Sequence, residues 1–150
     1  MPHLREDAAR GFAAGALATV GMSVLMFAAR RAGVLGRMPP ERITSHFLDR
    51  FHVRRRKQTQ DLLAAILHIG FGAAAGAAFG VACPRVRAPL PGLLQGLLFG
   101  TAVWTVSYFG WVPALGIMPP PPRDRPGRPE TMLAAHWIYG GMLALLTERP

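Results

Sequence analysis

The chain has 150 residues, room for one domain, and its hydrophobic residues, 51% of the total, are bunched into uncharged runs instead of being spread at a helical or strand period. A single cysteine, Cys83, excludes an intramolecular disulfide and a multi-cysteine metal site. The formal charge of +9 lies mostly beside the apolar runs, where it orients a membrane protein; with no aromatic-rich binding module beside it, nucleic acid is not an expected partner.

Four runs carry the membrane signature. Gly11 to Ala29 holds 19 residues without a charge, Leu62 to Pro84 holds 23, Ala88 to Pro122 holds 35 and Thr131 to Thr147 holds 17. A crossing takes roughly 20 apolar residues, with a tolerated range of about 17 to 25. The predicted spans are therefore about 10–30, 61–82, 91–112 and 131–147, all within a single integral membrane domain, 1–150. Glu6 and Asp7 before the first span, Arg30 and Arg31 after it, and the lack of a small-residue cleavage pattern mark that span as retained. Pro89 and Pro91 suit the entrance of the third span and Pro113 its exit, because proline fits a first helical turn and breaks or kinks an interior. The fourth span is short and ends beside Glu148 and Arg149, which leaves a tilted or re-entrant segment as its alternative.

The loops differ in kind. After the first span, Pro39 and Pro40 precede Glu41, and Ile43, Phe47 and Phe51 recur every four residues with Leu48 beside them; this predicts an amphipathic interfacial helix over about 40–56. Arg54, Arg55, Arg56 and Lys57 follow as a contact for anionic lipid headgroups. Packing of this helix on the bundle is the competing expectation. Six prolines between Pro119 and Pro129 predict an extended, semi-rigid connector. Nine Lys and Arg residues lie between Arg30 and Lys57 and three more are Arg123, Arg125 and Arg128, against Arg5, Arg10, Arg85, Arg87 and Arg149 on the other side. This bias places the two long loops in the cytoplasm and both termini outside.

Two stretches are echoed. Leu35-Gly36-Arg37-Met38-Pro39-Pro40 recurs as Leu115-Gly116-Ile117-Met118-Pro119-Pro120, and His68-Ile69-Gly70-Phe71-Gly72 recurs as His136-Trp137-Ile138-Tyr139-Gly140. The chain thus reads as an all-α membrane protein of four transmembrane helices, two parallel two-helix repeats related by an axis along the membrane normal, plus the interfacial helix. Gly72, Gly76 and Gly80 form a small-residue stripe, as do Gly92, Gly96 and Gly100, and Gly11, Gly15, Thr19 and Ser23; such stripes admit close backbone packing, so the second and third spans are expected neighbours. Contact with another copy or a membrane partner is the alternative use of these faces.

His68 shares a face with Gly72, Gly76 and Gly80, and His136 with Gly140 and Ala144, so both histidines are expected to point at protein, at equal depth and facing each other. An ionisable group inside a bilayer is a candidate site, and the competing reading is a neutral imidazole bonded to a helix carbonyl or to Thr19 or Ser23. No cofactor is the first expectation; an axial pair for haem b is the alternative, and a proton path through Tyr108, Tyr139, Gln95 and Ser107 is a third. No metal site is expected, because no Cys, Asp or Glu lies at that depth, and no catalytic serine, histidine and carboxylate set can be assembled. The protein is therefore expected to be non-enzymatic, acting by helix packing and by contact with lipid or a small solute. Gly11-Phe12-Ala13-Ala14-Gly15, the exit Gly36-Arg37-Met38-Pro39-Pro40-Glu41-Arg42 and the paired histidine elements together resemble small four-span bacterial membrane proteins of the YagU-like kind. That resemblance implies an inner-membrane protein and carries over no reaction or catalytic residue.

Overall fold

The computed structural model describes residues 2–83 and 90–148, so Pro84, Pro89 and three of the arginines weighed in the charge bias, Arg85, Arg87 and Arg149, lie outside the described residues. Six α-helices are present, with no strand among the described residues: α1 (Pro2–Arg31), α2 (Pro39–Arg50), α3 (Lys57–Ala82), α4 (Gly92–Thr105), α5 (Val112–Ala114) and α6 (Arg128–Thr147). A π-helical segment, Val106–Trp111, joins α4 to α5, and a 3-10 turn, Pro121–Arg123, precedes α6. Three helical stretches are long and apolar enough to cross a membrane, His3–Arg31, Lys57–Ala82 and Gly92–Ala114, which marks a membrane protein. The sequence places a fourth crossing at 131–147, but α6 is not among these three. Its own face is instead covered by protein: Met132, Ala135, Tyr139, Leu143 and Ala144 are all buried.

Backbone carbonyls and glycines hold the helices together. A Cβ on Gly11 would collide with the Gly76 carbonyl, one on Gly15 with the Gly72 carbonyl, and one on Gly80 with the Asp7 carbonyl, so α1 and α3 touch backbone to backbone over three turns. The same happens between α4 and α6, where Gly96 meets the Gly140 carbonyl and Gly100 meets the carbonyl of His136. Where nonpolar surroundings offer no hydrophobic drive between helices, such close van der Waals contact is the available source of association. The second and third spans therefore do not pair their stripes with each other: α3 uses its glycines on α1, and α4 uses its own on α6. Phe79 and Phe99 link α3 to α4 through ring contact, with centroids 5.1 Å apart. Asp7, outside the uncharged run, belongs to α1 and is buried.

Helix ends depart from the sequence reading for a local reason. At Gly33 (φ 77°) and Gly116 (φ 69°) the left-handed residue bonds back three positions and its successor bonds back five, closing α1 and α5 with the same Schellman motif. His52 (φ 54°) closes α2 in that way too, with its N–H on the Asp49 carbonyl and the Val53 N–H on that of Leu48. Histidine tolerates the left-handed region better than most side chains. The helix expected over 40–56 thus ends at Arg50, and Arg54, Arg55 and Arg56 lie in the link to α3. The α2 helix packs against α3 with Thr44 buried, while Phe47 and Phe51 are exposed. In the third span the helix expected over 91–112 loosens into the π-helical segment, where Gly110 takes non-helical angles (φ −96°, ψ −109°) three residues before Pro113. Proline removes a helical donor and crowds the preceding turn, a recognised cause of such breaks.

The echoed hexapeptide is not a structural equivalence. Its glycines are Gly36 and Gly116, yet the left-handed caps are Gly33 and Gly116; the first copy leads into α2 and the second into the 3-10 turn. The polyproline connector is pinned, since Arg125 donates to the Gly33 carbonyl at 3.0 Å.

Replacing Gly76 by Ala should lower stability by about 1–3 kcal/mol, the cost of overpacking a tight contact. At Gly70, where a Cβ would meet nothing within 4 Å, the same change should be neutral or stabilising by up to about 1 kcal/mol, as expected from helix propensity. Thermal unfolding in detergent measures both; equal losses would contradict the backbone contact.

Candidate functional site

The small-residue stripes stop part-way along the helices, and larger side chains take their place. On α1 the face that carries Gly11, Gly15 and Thr19 continues in Met22 and Met26; on α6 the face of Gly140 continues, toward the N-terminus, in His136 and Met132. On α3 the glycines give way to His68. Side chains of this size hold the helices apart, and between them lies a cavity of about 520 Å³. It is bounded by α1, α2, α3, the end of α4 with its π-helical segment, and α6, and its lining is overwhelmingly apolar.

Both predicted histidines line this one cavity. His136 Nδ1 lies 2.7 Å from the Met132 carbonyl oxygen. A carbonyl can only accept, so Nδ1 carries the proton and donates, and Nε2 of the neutral ring is left with a lone pair. His68 Nε2 is buried with no hydrogen-bond partner. Neither ring is bonded to Thr19 or Ser23: the Thr19 hydroxyl donates to the Gly15 carbonyl at 2.7 Å and that of Ser23 to the Thr19 carbonyl at 2.7 Å, each back along its own helix.

The aromatic and glycine positions of the histidine echo are used unequally. Tyr139 is 2% exposed and its hydroxyl donates to the Gly72 carbonyl at 2.7 Å, tying α6 to α3 at the cavity wall. Its counterpart Phe71 is 48% exposed and tilts against Trp111 on the cavity rim. Gly72 and Gly140 do equivalent work, Gly72 against Gly15 and Thr19, Gly140 against Gly96. Gly92 is exposed, and a Cβ there would meet only Glu148 Oε1 at 4.0 Å, so it is not a packing residue. Among the residues considered for a polar path, Gln95 is spent elsewhere, accepting from Cys83 Sγ at 2.7 Å and donating to the Leu90 carbonyl at 2.8 Å; burial pushes the Cys83 thiol pKa up.

A polar cluster closes the loop end. Tyr108 donates its hydroxyl proton to Asp124 Oδ2, and Arg128 Nη1 donates to Asp124 Oδ1 at 2.6 Å, with the Arg128 and Asp124 side chains only 6% and 2% exposed. Arg30 donates to Glu41 Oε1 at 2.6 Å, tying the end of α1 to the start of α2. Arg42 Nε and Arg128 Nε are buried without a partner. Sequence reasoning missed this cluster because its members come from three separate segments with no local motif; the only available signal was Asp124 and Arg128 four apart at the start of a helix. It also missed the cavity, whose sequence mark is the replacement of small residues by Met at helical spacing.

A family model matches residues 5–150. The chain belongs to DUF6789, a family of unknown function. No curated protein and no solved structure matches it. Membership covers almost the whole chain, so all the helices and the cavity described here lie within the family's extent apart from the first residues of α1. It supplies no substrate or residue assignment.

Removing the Asp124 carboxylate leaves a buried guanidinium uncompensated, so Asp124→Ala should cost about 3–5 kcal/mol. Tyr108→Phe removes one hydrogen bond and should cost only about 1 kcal/mol. Chemical unfolding of detergent-solubilised protein compares them; the reverse order would show that the Arg128 pair is not what holds the loop end.

Proposed function

We propose that this protein is a four-helix bundle that takes one small apolar molecule from the bilayer into the cavity between its helices, and that it acts by binding, without catalysis. The cavity carries the reading. Its volume of about 520 Å³ falls within the roughly 300–1,000 Å³ of small-molecule sites, and it is apolar with a few convergent polar groups. Three of its lining side chains, Phe47, Leu67 and Phe71, are 41%, 57% and 48% exposed, so entry is from the side that lipid covers.

In this reading α6 is the fourth crossing, tolerable with a histidine and polar aromatics because α1 and α4 shield it. The helix pairs α1 with α3 and α4 with α6 are the two repeats, each closed by its own glycine contact. Their long loops face the cytoplasm, as the excess of Lys and Arg argues, and the resemblance to small bacterial membrane proteins points to the inner membrane. There α2 lies at the interface with Phe47 and Phe51 toward acyl chains, and Arg54, Arg55, Arg56 and Lys57 meet anionic headgroups. The relation to YagU-like proteins belongs to the same proposal and rests on the α1 exit and the histidine echo.

Haem b is the second reading, favoured by one observation: on the same cavity His68 Nε2 is buried without a partner, and His136 bonds Met132 through Nδ1, which leaves its Nε2 a lone pair. The contacts of Gly11 with Gly76 and of Gly96 with Gly140 involve no residue of the cavity lining, whereas that of Gly72 with Thr19 lies on its wall. His68 and His136 would hold it, and the bound group would supply one-electron chemistry.

Filling the cavity discriminates against packing alone. Ala64 is buried on its wall, so Ala64→Trp should abolish binding of a fluorescent apolar probe to purified protein while helical circular dichroism is retained. Undiminished binding in that variant would place the probe elsewhere. For haem, protein expressed with added haem should show a Soret band that His68→Ala and His136→Ala each remove; no band in the parent ends that reading.

A further inference from the structure

We infer that the cavity's occupant is a long-chain alcohol or phenol: an apolar body whose single hydroxyl sits between His68 and His136. The inference rests on the cavity reading above and adds the chemistry of the ligand's head. Hydrogen bonds already made around the cavity decide that chemistry. Thr19 spends its proton on Gly15, Tyr139 on Gly72, Tyr108 on Asp124 and His136 Nδ1 on Met132. What these groups have left to offer is lone pairs, and the His136 Nε2 lone pair is the strongest acceptor among them. The opposite ring supplies the complementary need, because His68 Nε2 is buried and unpartnered, and a polar atom left so is costly. Ser107 and Thr44, also on the wall, can serve either way.

A hydroxyl answers both rings at once. Its proton goes to His136 Nε2, and its oxygen accepts from His68 when that ring carries its proton on Nε2, which fixes the His68 tautomer. A ketone, ester or ether offers only acceptors and leaves His136 unmatched; a hydrocarbon matches neither ring. A carboxylate or phosphate would bring a full charge into an overwhelmingly apolar cavity against two neutral rings.

The test uses three probes of one chain length, tetradecan-1-ol, its methyl ether and tetradecane, displacing a fluorescent apolar probe from the purified full-length protein. Each is compared at equal mole fraction in the detergent micelle. The alcohol should displace the probe roughly fivefold better than the other two, the worth of one buried hydrogen bond. In His136→Phe that preference should vanish while displacement by the alkane persists. Equal displacement by all three in the parent protein overturns the head-group inference and leaves the cavity reading standing. An ether as good as the alcohol, with both better than the alkane, also overturns it, since the lone pair of His136 then plays no part. No displacement by any of them overturns the cavity reading as well. The comparison in the parent decides the matter even if His136→Phe does not fold.

Discussion

Everything else in this bundle depends on the direct approach of backbones where glycines face carbonyls. Gly11 against the carbonyl of Gly76, and Gly96 against that of Gly140, bring α1 onto α3 and α4 onto α6 with no side chain between them. The same helices carry Met22, Met26 and Met132 farther along, together with His68 and His136. Rigid helices zipped at one end and wedged by long side chains at the other must enclose space at the wedged end. The cavity is therefore a geometric result of where glycine stops in the sequence. Close packing explains why the space is not simply filled by helix movement: closing it would drive the backbones at the glycine end through each other.

Polar chemistry is distributed to suit that geometry. Hydroxyls along the helices bond to carbonyls one turn back, as Thr19, Ser23, Thr101 and Thr131 all do, so they ask nothing of the surroundings. Charges gather at the loop end, where Asp124, Arg128 and Tyr108 close the bundle and Glu41 receives Arg30. Between the hydroxyls and the charges stand His68, whose buried Nε2 has no protein partner, and His136, whose Nε2 keeps a lone pair. In an apolar setting that combination is costly unless something else supplies the partner, which is why the histidines point to a ligand more strongly than their number alone would.

Much of this was legible in the residues. The uncharged runs located α1, α3 and the α4-to-α5 stretch, proline marked the entrance of α4 and its disturbed exit, and helical spacing put His68 and His136 on inward faces. Small-residue stripes announced tight packing but not its partner, because a Gly at every fourth position is the same signal whichever helix it meets; hence α3 against α4 was expected and α3 against α1 was found. The reach of α2 was overestimated because hydrophobic period and charge run on past Arg50, while the left-handed turn at His52 depends on a tolerance that leaves no pattern. The cluster around Asp124 depends on contacts between distant segments, which no periodicity reports. Echoes in sequence were informative about chemistry and misleading about register: both histidines reach the cavity, yet Phe71 and Tyr139 do different work, and the repeated hexapeptide is displaced by three residues from the equivalent helix caps.

The cavity exists only if α1 and α3 touch backbone to backbone in a bilayer. Solid-state NMR on protein labelled at the Gly76 carbonyl carbon and the Gly11 α-carbon, reconstituted in lipid, measures that separation. A carbon–carbon contact within roughly 5 Å is predicted, well inside the usual 8–10 Å between helix axes. Absence of that contact in folded protein would mean that a layer of side chains or lipid separates the helices, and the origin proposed for the cavity would be wrong.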